Sequence, residues 1–133
     1  TYFTVDGYDV QVSQLGDAAA ISTASIRLVI DGIKVENKGT GNGPVNALDM
    51  AFRSDLGLYA EFLEDMRLVD YKVRILNTGT EAVTRVTIES RDKKGFSWRT
   101  IGVNANIVAA SFDALKDAVV YKLLSDQASA SLK

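Results

Sequence analysis

The residues best suited to binding chemistry lie at positions 39–47, which read Gly-Thr-Gly-Asn-Gly-Pro-Val-Asn-Ala. Three glycines permit tight turns and a close approach of the backbone to a bound molecule. A helix is predicted to follow, with Asn42 or Gly43 as its N-cap and Pro44 in its first position. Free N–H groups at a helix start attract a carboxylate or a phosphate. We therefore interpret this segment, the first loop, as a binding site for an anionic group.

A second loop of the same kind lies at residues 102–110, which read Gly-Val-Asn-Ala-Asn-Ile-Val-Ala-Ala. A predicted strand leads into it and a longer predicted helix leads out, as at the first loop. The chain therefore contains two candidate binding loops in the same structural context.

Catalytic groups are scarce, because the chain has no histidine and no cysteine. The commonest general base, the commonest metal ligand and a thiol nucleophile are thereby excluded. Serines such as Ser22, Ser25 and Ser90 have no histidine to activate them. The Gly-x-Gly-x-Gly run is a weak dinucleotide signal, since the second Rossmann strand with its acidic end and a Walker lysine are missing. Binding is thus favoured over catalysis, and a stand-alone small enzyme is the least favoured alternative.

A small molecule with both an amine and a carboxylate fits the loops better. Its carboxylate would bind the N–H groups of a helix start. The residues able to accept its ammonium group are Asn42, Asn46, Asn104, Asn106 and Asp70. Those able to pack an aliphatic side chain are Val45, Val69, Val73 and Ile107. The alternative is that the asparagines cap helices or form turns, and that Tyr71 packs in the core.

Composition indicates a single globular domain, with 133 residues of which 47% are hydrophobic and 24% charged. A net charge of -2 argues against nucleic acid as a partner. The sequence has no apolar stretch near the ~20 residues that a membrane span needs, and no visible signal peptide. These features predict a cytoplasmic protein. Because the chain starts without methionine, we interpret it as a domain of a longer protein.

Apolar spacing predicts six strands and two helices, and the acidic, amphipathic segment 59–67 is either a short helix or an ordered connector. The strands are expected at residues 3–12, 24–30, 33–38, 68–76, 84–90 and 96–100. The helices are expected at about 44–53 and from 106 or 107 to 124. Asp31-Gly32 predicts a tight hairpin turn, Gly7 predicts a bulge or a kink, and Asn77–Thr80 predicts a turn. On the first helix, Asp49 and Arg53 are expected to face solvent.

The two halves of the chain form an internal repeat. A shift of 63 residues places Gly39 on Gly102 and Tyr8 on Tyr71, while Ile26 meets Val86 at a shift of 60. Each half then contains three strands followed by a helix. We predict an α+β fold of duplicated β-β-β-α units, with antiparallel sheets, helices packed on them and a pseudo-two-fold axis. The expected segments are repeat one at about 3–57, a connector at 58–67, repeat two at about 68–124 and a tail at 125–133.

Several separated strings resemble the C-terminal regulatory domain of the isopropylmalate synthase and citramalate synthase family. They lie at residues 41–49, 70–76, 84–90, 102–111 and 121–124. The string at 70–76, Asp-Tyr-Lys-Val-Arg-Ile-Leu, resembles the citramalate synthase branch more than the leucine-pathway branch. The resemblance covers nearly the whole chain, which predicts one regulatory domain over residues 1–133.

The resemblance implies a domain that forms a homodimer and binds the end-product amino acid near the dimer interface. Isoleucine is the effector expected for a citramalate synthase, and leucine for an isopropylmalate synthase. The implied effector contacts are Gly41, Asn42, Gly43, Pro44, Val45, Asn46, Asp70, Tyr71, Asn104, Asn106 and Ile107. Many members of the family carry Asp where Asn46 stands, so an ammonium contact there would be weaker. A purely structural dimerisation module remains the alternative.

The resemblance also implies that chemistry takes place elsewhere. In that family an N-terminal TIM barrel holds a divalent metal and condenses acetyl-CoA with a 2-oxo acid, which is pyruvate in a citramalate synthase. This chain lacks the barrel and its histidine ligands. We therefore expect no catalysis by this chain alone, no cofactor in this domain, and no nucleic-acid or membrane partner.

Overall fold

The computed structural model describes residues 2–54, 56–76 and 82–126. The predicted turn at 77–80 and the predicted tail from residue 127 on lie outside the described residues. The chain divides into two compact units, the first ending at Ala60 and the second beginning at Glu61. The strands are β1 (Thr4–Ser13), β2 (Ile21–Ile30), β3 (Ile33–Gly41), β4 (Arg67–Ile75), β5 (Thr84–Arg91) and β6 (Ser97–Asn104). The α-helices are α1 (Pro44–Ser54), α2 (Ala60–Leu63) and α3 (Ile107–Ser125).

Each unit has one three-stranded antiparallel sheet followed by a helix. The strand orders are β1-β2-β3 and β4-β5-β6, so each sheet is two consecutive hairpins. α1 packs on the first sheet and α3 on the second. The predicted α+β fold of duplicated β-β-β-α units is confirmed.

Local turn chemistry sets the ends of the strands. Asp31 and Gly32 have φ angles of 52° and 77°, as the predicted two-residue turn requires, and Ile30 pairs with Ile33. The predicted bulge in β1 is present between Val5 and Gly7. A matching bulge in β4, between Leu68 and Asp70, lies 63 residues later and supports the duplication.

The shift of 60 residues predicted for the second strand of each repeat is wrong. Tyr8 pairs with Ile26 in the first sheet, and Tyr71 pairs with Ile88 in the second, so the equivalent positions differ by 62. A two-residue error leaves the same alternate side chains pointing to the helix, and apolar spacing alone therefore cannot detect it.

The core of each unit lies between the middle strand and the helix. Alternate side chains of β2 and β5 are buried there: Ala24, Ile26, Leu28 and Ile30, and Thr84, Val86, Ile88 and Ser90. In the second unit Trp98 lies on the same face as Ile88, as predicted, and its indole N–H donates to the carbonyl oxygen of Ala118 at 3.2 Å.

Strand and helix backbones approach closely at two equivalent glycines. A Cβ atom on Gly39 would collide with the backbone of Ala47 and Ala51 on α1. One on Gly102 would collide with the backbone of Ala110 and Ala114 on α3. Glycine is required at both positions because no side chain fits between strand and helix.

Asp49 differs from the prediction, because it is buried rather than solvent-facing. Its carboxylate accepts a hydrogen bond from Arg53 one turn later, at 2.7 Å. Burial raises the pKa of Asp49 above its ordinary value of 3.8, and the attraction and hydrogen bond of Arg53 offset part of that increase. The ion pair lets α1 bury a charged residue that helical spacing assigns to the surface.

The helix-facing side of β4 is left partly uncovered. Val73 and Ile75 point to the same side as the buried Val86 and Thr84, yet they are 42% and 60% exposed. α3 packs chiefly over β5 and β6, which accounts for the exposure. The apolar face predicted for this strand is therefore present without being buried.

A buried lysine joins the end of α3 to the α2–β4 turn. The Lys122 side chain is 4% exposed, and its ammonium group pairs with Asp126 and, at 3.3 Å, with Asp65. Asp65 also accepts the backbone N–H of Lys93 at 3.2 Å, on the β5–β6 hairpin. Burial alone would lower the pKa of Lys122, but hydrogen bonds and attraction to Asp126 and Asp65 raise it overall. Burial alone would raise the pKa of Asp65, but the Lys93 N–H and Lys122 lower it overall.

Substituting Gly102→Ala tests the close approach of β6 and α3. Because the added methyl group collides with the helix backbone, we expect the free energy of unfolding to fall by about 1–3 kcal/mol. Urea denaturation followed by circular dichroism measures the change. Gly43→Ala is the control, since beyond its chain neighbours no atom of the described residues lies within 4 Å of its Cβ position, and it should cost less than about 1 kcal/mol. Equal stability of Gly102→Ala and the parent would contradict the packing described.

Substituting Lys122→Met tests the buried ion pairs, with Lys116→Met on the same helix as control. We expect a loss of about 1–3 kcal/mol near neutral pH, because two carboxylates lose their cation. Because the pKa of Lys122 is raised in the folded protein, its contribution to the free energy of unfolding is complete below pH 10.5. That contribution is lost as the pH rises through the pKa of Lys122 in the folded state. Because the pKa of Asp65 is lowered in the folded protein, its contribution to the free energy of unfolding is complete above pH 3.8. That contribution is lost as the pH falls through the pKa of Asp65 in the folded state. The stability difference from the parent should therefore shrink at both extremes in pH-dependent denaturation, and a difference independent of pH would count against the pairs.

Candidate functional site

The first loop leaves two backbone donors open at the start of α1. β3 continues to Gly41, past the predicted end at Lys38, and α1 begins at Pro44, as predicted. The carbonyl oxygen of Gly43 accepts the N–H of Ala47 at 3.0 Å, which makes Gly43 the N-cap. Glycine has no side chain to cap the helix. Within the described residues, the N–H groups of Val45 and Asn46 have no hydrogen-bond partner.

Two predicted contact residues meet in this loop. The side-chain amide of Asn46 lies against Gly41, where a Cβ atom would collide with its oxygen. Asn42 and Asn46 are exposed, while Gly43, Pro44 and Val45 are half-buried. The loop therefore presents an amide and two N–H groups beside an aliphatic side chain.

The second loop uses its own side chains as caps. The Asn106 side chain accepts the N–H groups of Val108 and Ala109, at 2.8 and 3.1 Å. The N–H of Asn106 donates to the side-chain oxygen of Asn104 at 2.9 Å. Of the alternatives left open for the asparagines, capping thus describes Asn106 and a local turn describes Asn104 in this structure. Their contact with an effector stays a prediction.

Tyr71 and Ile107 are linked through a serine that sequence reasoning missed. The hydroxyl of Ser111 donates to the carbonyl oxygen of Ile107 at 2.8 Å. The Tyr71 hydroxyl lies 2.9 Å from the same serine oxygen and therefore donates to it. Ser111 is buried on the sheet-facing side of α3, four residues after Ile107. The one sequence signal for it is a polar residue in an otherwise apolar helical stripe.

Asp70 lies away from that pair. It is opposite Glu89, whereas Tyr71 is opposite Ile88, so the two side chains point to opposite faces of the sheet. The Asp70 carboxylate accepts the N–H of Tyr71 at 3.0 Å and lies 3.5 Å from the Lys72 ammonium group. On the second sheet, Asp70 is thus separated from Tyr71 and Ile107.

The two loops share a framework and differ in chemistry. Gly43 and Asn106 occupy the same position under the 63-residue shift, and both are N-caps. Asn106 occupies two donors at the start of α3, whereas Gly43 leaves the corresponding donors of α1 open. Open N–H groups at the positive end of a helix dipole bind a carboxylate or phosphate. The first loop is therefore the stronger candidate for an anionic group.

Residues 2–54, 56–76 and 82–126 contain neither a candidate metal site nor a candidate membrane-spanning helix. There, no three or more carboxylates cluster in a way that could hold a metal ion. Over the same residues, no helix combines the length and apolar character needed to cross a bilayer.

Comparison with known proteins identifies the family. Residues 1–123 match the LeuA allosteric (dimerisation) domain. The chain is 43% identical over 129 residues, 95% of its length, to the (R)-citramalate synthase of Aquifex aeolicus. It is 43% identical over 125 residues, 92% of its length, to that of Geobacter sulfurreducens. Similarity to the 2-isopropylmalate synthase of Burkholderia ambifaria is lower, at 33% over 105 residues, 79% of the chain.

The matched region is only part of these relatives. The chain spans 24% of the length of each of the two citramalate synthases and 19% of the isopropylmalate synthase. The resemblance identified from the sequence strings is confirmed: the chain belongs to the LeuA allosteric (dimerisation) domain family of the citramalate and isopropylmalate synthases.

Proposed function

We propose that this chain is the feedback-regulatory and dimerisation domain of a larger citramalate synthase, and that it binds a branched-chain amino acid, with isoleucine favoured. The attached catalytic region would condense pyruvate with acetyl-CoA, using a divalent metal held outside this chain. The names of the two relatives that are 43% identical support the citramalate branch. The effector contacts proposed are those predicted from the sequence in both loops and at Asp70 and Tyr71.

The observation that carries the proposal is the uncapped start of α1. The N–H groups of Val45 and Asn46 can receive the effector carboxylate, since Gly43 offers no side chain to occupy them. The exposed side-chain oxygens of Asn42 and Asn46 can accept hydrogen bonds from its ammonium group. Val45, half-buried at the same helix start, can contact its aliphatic part. These three features together match a zwitterion with an apolar side chain.

Leucine is the second candidate effector, because a 2-isopropylmalate synthase is among the relatives. Isoleucine and leucine differ only in where the side chain branches. A pocket discriminates such differences by roughly 1–3 kcal/mol. We therefore expect measurable binding of both amino acids, with isoleucine the tighter.

Regulation then follows from linkage. An effector shifts an equilibrium only if it binds one arrangement of the regulatory dimer more tightly than another. That difference in binding free energy would be transmitted to the catalytic region and lower its activity.

The partly uncovered side of β4 supports dimerisation. Val73 and Ile75 are exposed on the helix-facing side of the sheet. Apolar side chains clustered on one side of an edge strand are typical of a surface that a partner covers. We propose that a second copy of the chain covers it.

Substituting Gly43→Asn tests the effector site by giving α1 the cap that α3 has. The new side chain would occupy the N–H groups of Val45 and Asn46. Since a hydrogen bond to a charged group contributes about 1.5–3 kcal/mol, isoleucine affinity should fall about 10–100-fold. Titration calorimetry with isoleucine, leucine and valine measures it.

Helix stability provides the internal control for this substitution. Gly43→Asn should leave thermal stability unchanged or slightly raised, because Asn is the better N-cap. Unchanged isoleucine affinity in Gly43→Asn would place the carboxylate elsewhere. No heat with any of the three amino acids in the parent chain would favour a purely structural dimerisation module.

Substituting Ile75→Glu tests the dimer surface. A carboxylate brought into an apolar interface is left unpaired, so the dimer dissociation constant should rise at least about tenfold. Light scattering over a concentration series measures it. Leu15→Glu is the control, since Leu15 is exposed in the β1–β2 connection and should leave the dimer intact. An unchanged dimer in Ile75→Glu would exclude this side of β4.

A further inference from the structure

The side of the second sheet that faces away from α3 is strongly basic. Among the described residues, its charged side chains are Arg67, Asp70, Lys72, Arg74, Arg85, Glu89, Arg91 and Arg99. The two carboxylates are engaged: Asp70 lies 3.5 Å from Lys72, and Glu89 lies 3.5 Å from Arg99. We call Lys72, Arg74, Arg85 and Arg99 the basic face.

Two arginines of the basic face lie directly opposite each other. Arg74 on β4 pairs in register with Arg85 on β5. Residues opposite each other in an antiparallel pair have Cβ atoms about 4.5–5.5 Å apart, and like charges there are destabilising. Within the described residues, neither arginine forms an ion pair. An external anion would remove this repulsion.

The first sheet shows that the fold does not need these charges. The residues equivalent to Lys72, Arg74, Arg85 and Arg99 are Asp9, Gln11, Thr23 and Glu36. Gln11 and Thr23 pair in the first sheet as Arg74 and Arg85 pair in the second. The same architecture thus forms with two neutral residues at the position of the arginine pair. A role in binding accounts for a charge arrangement that folding does not require.

The shape of the basic face fits a protein surface. Ile101 and Val103 lie on the same face of β6 and are 43% and 51% exposed. Arginine beside exposed apolar side chains on an open sheet is typical of protein–protein contacts, whereas small anions bind in concave sites. The relatives place about three quarters of their length outside the matched region. The part of the full-length protein outside the match, which would hold the catalytic region, offers a surface for the regulatory domain to contact in addition to the second copy of the chain.

We propose that the basic face docks onto an acidic surface of the catalytic region in the same full-length protein. Arg74 and Arg85 would pair with carboxylates there, while Ile101 and Val103 would pack at the edge of the contact. This inference rests on the proposed function in one respect, which is that the chain is part of a larger synthase. It does not depend on which amino acid binds, or on whether one binds.

The test compares labelling of a single cysteine in the full-length protein and in this chain. The chain has no cysteine of its own, and Thr87, on the same face as Lys72, offers a position for one. Thr87→Cys should react with a maleimide at least about tenfold more slowly in the full-length protein, as read from the mass of its peptide. Adding Arg74→Gln and Arg85→Thr introduces the residues found at the equivalent positions of the first sheet. These substitutions should restore the faster labelling rate in the full-length protein.

Controls separate docking from folding and from effector binding. Arg74→Gln with Arg85→Thr should unfold at the same or a higher urea concentration than the parent, because the repulsion is removed. Labelling of Thr23→Cys, on the first sheet, should be insensitive to these two substitutions. No amino acid is added, so a failure of effector binding leaves this result unaffected.

Three results would overturn the proposal. The first is an equal Thr87→Cys labelling rate in the full-length protein and in this chain. The second is protection in the full-length protein that survives Arg74→Gln with Arg85→Thr. The third is slower Thr87→Cys labelling of the isolated chain in millimolar pyrophosphate, together with no slowing of labelling in the full-length protein. That result would assign the arginine pair to binding of a small anion.

Discussion

The close approach of strand and helix at Gly39 and Gly102 is the constraint on which the rest of each unit depends. Helix and strand backbones can touch there only because neither glycine has a Cβ atom. The contact fixes each helix against the last strand of its sheet, close to the point where the strand ends. The loop between them is therefore short, and the first turn of the helix has a set position. Any ligand that uses those helix-start N–H groups depends on this packing.

Duplication of this frame has allowed the two units to differ where folding tolerates it. Asn106 caps α3 with its own side chain, and Gly43 leaves the start of α1 open. On the opposite side of the sheets, Gln11 and Thr23 of the first unit correspond to Arg74 and Arg85 of the second. In both units the side of the sheet that packs against the helix stays buried. Differences in binding function can therefore arise at the helix caps and on the outer faces of the sheets. A polar cap or an exposed charge changes local chemistry at little cost to the core.

Much of the fold could be predicted because its signals are local. Strand alternation, the Asp31-Gly32 turn and the Gly7 bulge each depend on the preferences of a few adjacent residues. The equivalence of β2 and β5 could not be predicted in the same way. A shift of two residues preserves the alternation, so hydrogen-bonded pairing with the neighbouring strand had to decide the register. Of the candidate site, the two loops, the Pro44 helix start and the opposite orientation of Asp70 and Tyr71 were predictable from local signals. The hydrogen bond between Tyr71 and Ser111 was not, because it joins residues 40 positions apart that meet only when α3 packs on the second sheet.

The sequence by itself determined the duplicated β-β-β-α pattern, the two loops and the family, because turn residues, apolar periodicity and strings of identical residues are properties of neighbouring positions. Only the tertiary structure decided which charges are buried. Asp49 and Lys122 lie where helical spacing alone predicts nothing unusual, and each is buried because a partner such as Arg53 or Asp65 neutralises it. It also decided that the donors of the second loop are occupied and those of the first are open, since a hydrogen bond depends on the positions of two groups in space.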